Sequence, residues 1–229
     1  MNPYERLELL IGIENVKKIQ EKTVLIIGLG GVGGYALESL VRTGVQNFII
    51  ADYDTIDITN LNRQILATYE TIGMKKVDAA EQRIKLLSPN IHITKIDTKI
   101  TSENIEQLWL HQPDYIIDAC DTISVKKELI RQCQKKSCKL ISCMGTGNKM
   151  NPSKLAIVDV RKTSYDPIAK QIRKMVTEEK IRGKVMVVSS TEPPIKTHSK
   201  TIASNAFVPP TAGLLLASYI VNDVIKNEK

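Results

Sequence analysis

Residues 23–64 read TVLIIGLGGVGGYALESLVRTGVQNFIIADYDTIDITNLNRQ, and the order of residue types in this stretch decides the fold. An apolar run, Val24-Leu25-Ile26-Ile27, meets a cluster of glycines at Gly28, Gly30, Gly31, Gly33 and Gly34, after which Val32, Ala36, Leu37, Leu40 and Val41 recur at helical spacing. This is a strand, a tight turn and a helix. A second apolar run, Phe48-Ile49-Ile50-Ala51, ends at Asp52, where a Rossmann unit presents a carboxylate to a ribose hydroxyl. Such a turn lets backbone approach phosphate closely, and the helix N-terminus adds unpaired N–H groups and partial positive charge. Alone, Gly28-x-Gly30-x-x-Gly33 also fits a dehydrogenase dinucleotide site or a turn packed for its own sake. The phosphate loop that ends in Gly-Lys-Ser/Thr is excluded, because Gly34-Tyr35 follows Gly33.

Working outward, residues 4–20 read as one or two short helices leading into the first strand. The polar connection from Asp54 to Gly73 is too rich in hydrogen-bonding side chains for a linker and is expected to be a binding loop. Alternation then continues: helix 74–87, strand 91–96, helix 103–110, strand 115–117, helix 124–136 and strand 140–142. Beyond Met144 the pattern predicts strands over 155–160 and 184–189 around a basic helix, 167–180, then a flexible loop, 191–204, and an apolar helix, 211–225. The expected fold class is α/β, a Rossmann-like doubly wound, mostly parallel sheet extended by antiparallel strands. With 229 residues, 42% of them apolar, one substantial core suffices, so residues 1–229 are expected to form one domain. Its nucleotide half would be 1–145, and 146–229 would supply a crossover loop, a basic segment and the last helix.

The net charge of +7 is uneven. Residues 161–200 hold ten Lys or Arg against four acids, a patch that suits a polyanion such as RNA as well as it suits a solvated face. Aromatic residues are scarce, and no base-stacking platform is evident. No basic-then-apolar leader opens the chain, and the longest apolar run breaks at Asn222-Asp223, short of the roughly 20 residues of a membrane span. A cytoplasmic location and reduced, mostly buried cysteines are therefore expected. The four cysteines (120, 133, 138 and 143) form no Cys-x-x-Cys pair, which argues against structural zinc.

Past the second strand the chain places Asn60, Arg63, Gln64 and Lys76, all phosphate-ligand types that a dinucleotide site does not require. Asp54 and Asp121 are candidate magnesium ligands, since a hard cation prefers carboxylate oxygen beside substrate phosphates. Asp121 could equally cap the following helix.

Gly28-Leu-Gly-Gly-Val-Gly-Gly34, Asp52-Tyr-Asp54, Thr59-Asn60-Leu-Asn62-Arg63-Gln64, Gly73-Met-Lys75-Lys76-Val77 and Asp118-Ala-Cys-Asp121 together resemble the adenylation domain of ubiquitin-activating-type enzymes. That superfamily includes the molybdopterin- and thiamine-synthesis adenylyltransferases. Gly145-Thr-Gly-Asn-Lys149-Met-Asn-Pro152, Asp166-Pro-Ile-Ala-Lys170 and Ser189-Ser-Thr-Glu-Pro-Pro194 are most similar to its tRNA threonylcarbamoyladenosine dehydratases. The resemblance implies ATP-dependent cyclisation of a tRNA nucleoside through adenylation of its carboxylate. It assigns Gly28, Gly30, Gly31 and Gly33 to the nucleotide turn, Asp52 to the ribose, and Asn60, Arg63, Gln64 and Lys76 to phosphates. Asp121, with Asp54, would hold Mg2+. Arg6 matches an arginine reaching into the partner subunit's site, which implies a homodimer, and Arg6, Arg63, Lys76 and Asp121 form the implied catalytic set. A monovalent cation and a sulfur-transfer partner protein stay open. The alternatives are an adenylyltransferase acting on the C-terminus of a sulfur-carrier protein, disfavoured by the missing cysteine pairs, and an NAD-dependent sensor. Cys143 could carry a thioester, or be a buried core thiol.

Overall fold

The computed structural model describes residues 2–136, 138–198 and 201–226. Helices α1 (Glu5–Ile11) and α2 (Ile13–Glu21) meet at Gly12 and lead into β1 (Thr23–Ile27). Then follow α3 (Gly33–Arg42), β2 (Asn47–Ala51), α4 (Lys76–Leu87), β3 (His92–Ile96), β4 (Tyr115–Asp118), α5 (Ile123–Lys135) and β5 (Lys139–Cys143). The remainder is β6 (Leu155–Asp159), α6 (Pro167–Glu178), β7 (Met186–Ser190) and α7 (Val208–Lys226). The seven strands form one sheet in the order β3-β2-β1-β4-β5-β7-β6.

Five of the strand pairings are parallel. Of the two late strands expected to be antiparallel, β7 joins β5 in parallel and only the edge strand β6 runs antiparallel to β7. The α6 crossover between β6 and β7 allows this, because it returns the chain to the sheet next to β5.

Side chains of β1 alternate between two cores, as a pleated strand with both faces covered must. Val24 and Ile26 pack with Leu37 and Leu40 of α3 and Leu216 and Ile220 of α7. Leu25 and Ile27 face the other way, toward Val125 and Leu129 of α5. A third cluster joins α6 to the sheet through Ile172, Met175 and Val187.

Three local differences from the sequence pattern have physical reasons. Ile105–His111 is a 3-10 helix, not an α-helix: its buried residues, Ile105 and Leu108, are three apart, which the three-residue turn places on one line. Helix α7 starts at Val208, not Thr211, because Pro209 and Pro210 fall in its first turn, where a missing N–H costs nothing. The 191–204 segment is anchored: Ile195 N donates to Asn148 O at 2.7 Å, and Asn148 N to Ala203 O at 2.8 Å. Ser199, and with it Lys200 of the basic segment, lies outside the described residues. By length and composition α7 could cross a membrane, yet its Ala212, Gly213, Leu216, Ala217 and Ile220 are buried, so it serves here as a core helix.

Beneath the β4–α5 junction lies an ion pair with no solvent exposure. Lys126 Nζ donates to Asp118 Oδ1 at 3.0 Å and to Cys143 O at 2.8 Å, and both side chains are 0% exposed. Burial opposes the ammonium, but the Asp118 carboxylate outweighs it and holds Lys126 above the ordinary lysine range. Removing one partner strands the other charge. Lys126→Met is expected to lower stability in urea denaturation by about 3–5 kcal/mol, and adding Asp118→Asn to restore much of it; equal stability of both variants and the parent would refute this account.

Candidate active site

The nucleotide turn is set by close backbone packing. Gly28 has φ +89°, and a Cβ there would lie 2.8 Å from Ala119 O. A Cβ on Gly33 would collide with Gly28 O. Only glycine fits at both positions. The turn thus lies between the carboxyl ends of β1 and β4, where successive strands send their helices to opposite faces and an open crevice results.

Two cavities open at this crevice. The first, about 200 Å³, has an apolar lining of Ile27, Ala51, Ile100 and Val125 and a polar lining that includes Gly28, Gly30, Asp52, Asp54, Lys76 and Asp121. The second, about 310 Å³, lies between Gly30-Gly31, Arg63, Asp121, the 143–147 loop, Ile168 and Pro209. They share Gly30, Ala119, Cys120 and Asp121 as a common wall.

Asp52 is 8% exposed and ties the turn to the second strand. Its Oδ2 accepts from Leu29 N at 2.6 Å and its Oδ1 from Asp54 N at 2.9 Å; a carboxylate has lone pairs left for a ribose hydroxyl. Lys76 begins α4, buried at 6% exposure. Its ammonium lies 2.7 Å from Asp54 Oδ2 and 3.8 Å from Asp52 Oδ2. These two carboxylates hold it in the polar lining of the first cavity. Asp54 is thus engaged with Lys76, whereas Asp121 is exposed and has only a long 3.4 Å contact from Thr122 Oγ1. Thr122 holds the N-cap position of helix α5, without a side-chain capping bond, so Asp121 does not serve as its N-cap.

Asn60 acts through its backbone. Its carbonyl accepts from Arg63 N at 3.1 Å and Gln64 N at 2.9 Å, while its side chain accepts from Asp57 N at 3.2 Å within a capping box. It shapes the turn that carries Arg63 and Gln64, and lines neither cavity. Arg63 reaches the second cavity, its Nη1 donating to Thr59 O at 3.0 Å and Asn62 Oδ1 at 2.8 Å. Gln64 is 6% exposed beside Gly30, and its Oε1 has no partner. A buried acceptor without a donor is costly unless a ligand, water or ion meets it. Arg6 is exposed on α1 and lines neither cavity of its own chain.

Three contributions escape a reading of the sequence. Tyr53 and Lys99 stand at the first cavity with the ammonium 5.4 Å from the ring centroid. Asp166 caps α6 and accepts from Gly145 N at 2.7 Å, while Lys149 Nζ donates to Gly145 O at 2.9 Å. Glu192 accepts from Met150 N and Asn151 N, at 3.0 and 2.9 Å, binding the 145–152 loop to the 191–204 segment. Of these only Lys149, a lone charge beside Gly145 and Gly147, and Asp166, just before Pro167 at a helix start, leave a trace in sequence. Among the cysteines, Cys143 alone is fully buried and the others are half-buried. Burial pushes the Cys143 thiol up to about 12, so it is a protonated core thiol near neutrality.

Comparison with known proteins agrees with this geometry. The chain is 37% identical over 244 residues to a tRNA threonylcarbamoyladenosine dehydratase of Bacillus subtilis, covering 99% of this chain and 96% of the relative. It superposes on the crystal structure of E. coli tRNA N6-threonylcarbamoyladenosine dehydratase, TcdA, in complex with ATP, with a TM-score of 0.92 and 27% identity over 98% of this chain and 94% of that one. A molybdopterin-synthase adenylyltransferase of Haemophilus influenzae is 32% identical over 58% of this chain and 54% of its own. The match to the ThiF family runs over residues 4–226, from the first helix through α7. With the glycine turn, the Asp52 carboxylate and the whole sheet inside that span, the chain belongs to the ThiF family.

Proposed function

We propose that this protein is an ATP-dependent tRNA threonylcarbamoyladenosine dehydratase, built as one adenylation domain and working as a cytoplasmic homodimer. The observation that carries the reading is the pair of cavities sharing the Gly30–Asp121 wall. A nucleotide in the first and a carboxylate in the second would meet at that wall. Full-length similarity to enzymes of that name supports the substrate; the absence of Cys-x-x-Cys pairs disfavours the alternative, a sulfur-carrier adenylyltransferase.

A carboxylate is a poor electrophile, and transfer of AMP onto it creates a good leaving group. The threonyl carboxylate attacks the α-phosphate of ATP, the bond to the β-phosphate oxygen breaks, and pyrophosphate leaves. A nitrogen or oxygen of the same group then closes the ring on the activated carbonyl and AMP leaves with the former carboxylate oxygen. The balance is the loss of one water from the nucleoside as ATP becomes AMP and pyrophosphate. In this scheme the apolar side chains of the first cavity take adenine, Asp52 the ribose, and the Gly28–Gly33 turn the phosphates. Lys76 and Arg63 stabilise charge developing on the pyrophosphate. Asp121, without a close partner of its own, suits Mg2+, which would screen the phosphates; Asp54 serves chiefly to position Lys76. Among the described residues no three His, Cys, Asp or Glu side chains are placed to hold a metal ion by themselves. A monovalent cation beside Gln64 Oε1 and a sulfur-transfer partner protein are compatible additions.

With ATP, Mg2+ and tRNA, the protein is expected to reduce the mass of the threonylcarbamoyl nucleoside by one water; an unchanged mass while ATP binds would exclude the reaction. Lys76→Ala and Arg63→Ala are each expected to lower kcat roughly 100-fold, as lost charge-stabilising contacts do, and full activity in both would remove the triphosphate assignment. Arg6 is expected to act across the dimer: mixing Arg6→Ala with Asp121→Ala subunits restores part of the activity, and failure despite verified subunit exchange counts against it. Cys143→Ala is expected to retain turnover, since a thiol with a pKa near 12 is not the nucleophile; an inactive but folded variant would reopen a covalent role.

A further inference from the structure

We propose that Tyr165, together with Phe207, forms a base-stacking platform at the second cavity, holding nucleotides that flank the nucleoside being modified. The inference rests on the reading of an RNA substrate and adds the side chains that grip it. The chain has only seven Tyr, two Phe and one Trp, yet Tyr165 is 62% and Phe207 57% exposed. Neither ring lines the second cavity itself, but each lies within three residues in the chain of side chains that do. Tyr165 precedes Asp166, whose carboxylate binds Gly145 N, and lies three residues before Ile168, which lines the cavity. Phe207 falls between Ser204 and Pro209, two further lining residues. Tyr69, 81% exposed, has no residue lining the second cavity within three positions of it in the chain.

The backbone presents these rings firmly. Tyr165 has φ +55°, the left-handed region that a bulky residue adopts only when its surroundings impose it. They do so here: Asp166 is 3% exposed and also accepts from Ala169 N at 2.9 Å. Phe207 N donates to Asn205 Oδ1 at 2.9 Å, and Asn205 Nδ2 donates to Lys149 O at 2.6 Å. The electrostatics match an RNA backbone. Arg161 and Lys174 are paired with Asp159 and Glu178, while Lys162 and Lys170, on either side of Tyr165 in the chain, are exposed.

A nucleoside that enters a recessed cavity must leave its stack, and its neighbours lose a stacking partner. An exposed ring beside the entrance replaces that partner, as aromatic side chains do for single-stranded RNA. The cations then meet the phosphates between those bases.

Kinetics with tRNA carrying threonylcarbamoyladenosine test this. Tyr165→Ala and Tyr165→Gly are expected to raise KM for tRNA about tenfold, the effect of one lost base stack, with kcat and ATP affinity by calorimetry near those of the parent. Tyr165→Phe keeps the parent KM. Glycine accepts positive φ without strain, so Tyr165→Gly does not lower Tm, which separates stacking from folding. A 2-aminopurine next to the modified adenosine is quenched by the parent protein and by Tyr165→Phe, and not by Tyr165→Ala. An unchanged KM in both the Ala and Gly variants, or loss of function in Tyr165→Phe, overturns the platform while leaving the dehydratase reading intact. A parent protein that binds ATP but leaves tRNA unaltered overturns both.

Discussion

The site depends on one close approach: the backbone of Gly28 against that of Ala119, with no room for a side chain between them. This contact joins the end of β1 to the end of β4, two strands whose following helices lie on opposite faces of the sheet. The crevice that results is a property of the doubly wound topology. What the glycine turn adds is depth. Phosphate can come within reach of backbone N–H groups and of the α3 N-terminus because nothing projects from the turn. A side chain at Gly28 would separate the Ala119–Asp121 segment from the turn, and both cavities would lose their common wall.

Two buried lysines secure the 143–145 loop of the second cavity. Lys126 donates to Cys143 O and Lys149 to Gly145 O, each beside a buried aspartate, Asp118 and Asp166. Buried ion pairs contribute little net stability, since desolvation offsets most of the attraction. Their effect here is geometric. Both ammonium groups hold carbonyls of one three-residue stretch, so the 143–145 loop has its position fixed by charges that cannot be solvated elsewhere. Both pairs are electrically closed. Asp121, at the crevice, has no cationic partner among the described residues.

The elements most readable in the sequence are those whose signal is local. Strand β1, the glycine turn, α3 and the acid at Asp52 follow from apolar periodicity and from what glycine alone permits. The grouping of Asp52, Asp54, Lys76 and Asp121 at one cavity was legible because their motifs sit at strand ends and helix starts, which the topology converges. The expectation of Asn60 as a phosphate ligand comes from its residue type, but its carbonyl organises the turn while its side chain accepts from Asp57 N. The Lys126–Asp118 pair was not legible, since the spacing of eight residues spans a strand end, a loop and a helix start. Nor was the exposure of Tyr165, which depends on a backbone angle that composition does not encode. Strand direction at β7, one place in from the edge, likewise required knowledge of how α6 crosses the sheet.

Helix α7 has a consequence for how the protein is made. Pro209 borders Gly31, and Gly213 lies directly against Val32 O, so the outer support of a turn built in the first part of the sequence comes from its last helix. The same helix covers Val24 and Ile26 of β1 and presents Asp223 to Tyr115 and Lys139. While the chain is being synthesised, the strands of the nucleotide-binding half emerge before their covering helix exists. A glycine turn braced by an element made this late leaves the nascent chain without a finished crevice until α7 has been synthesised.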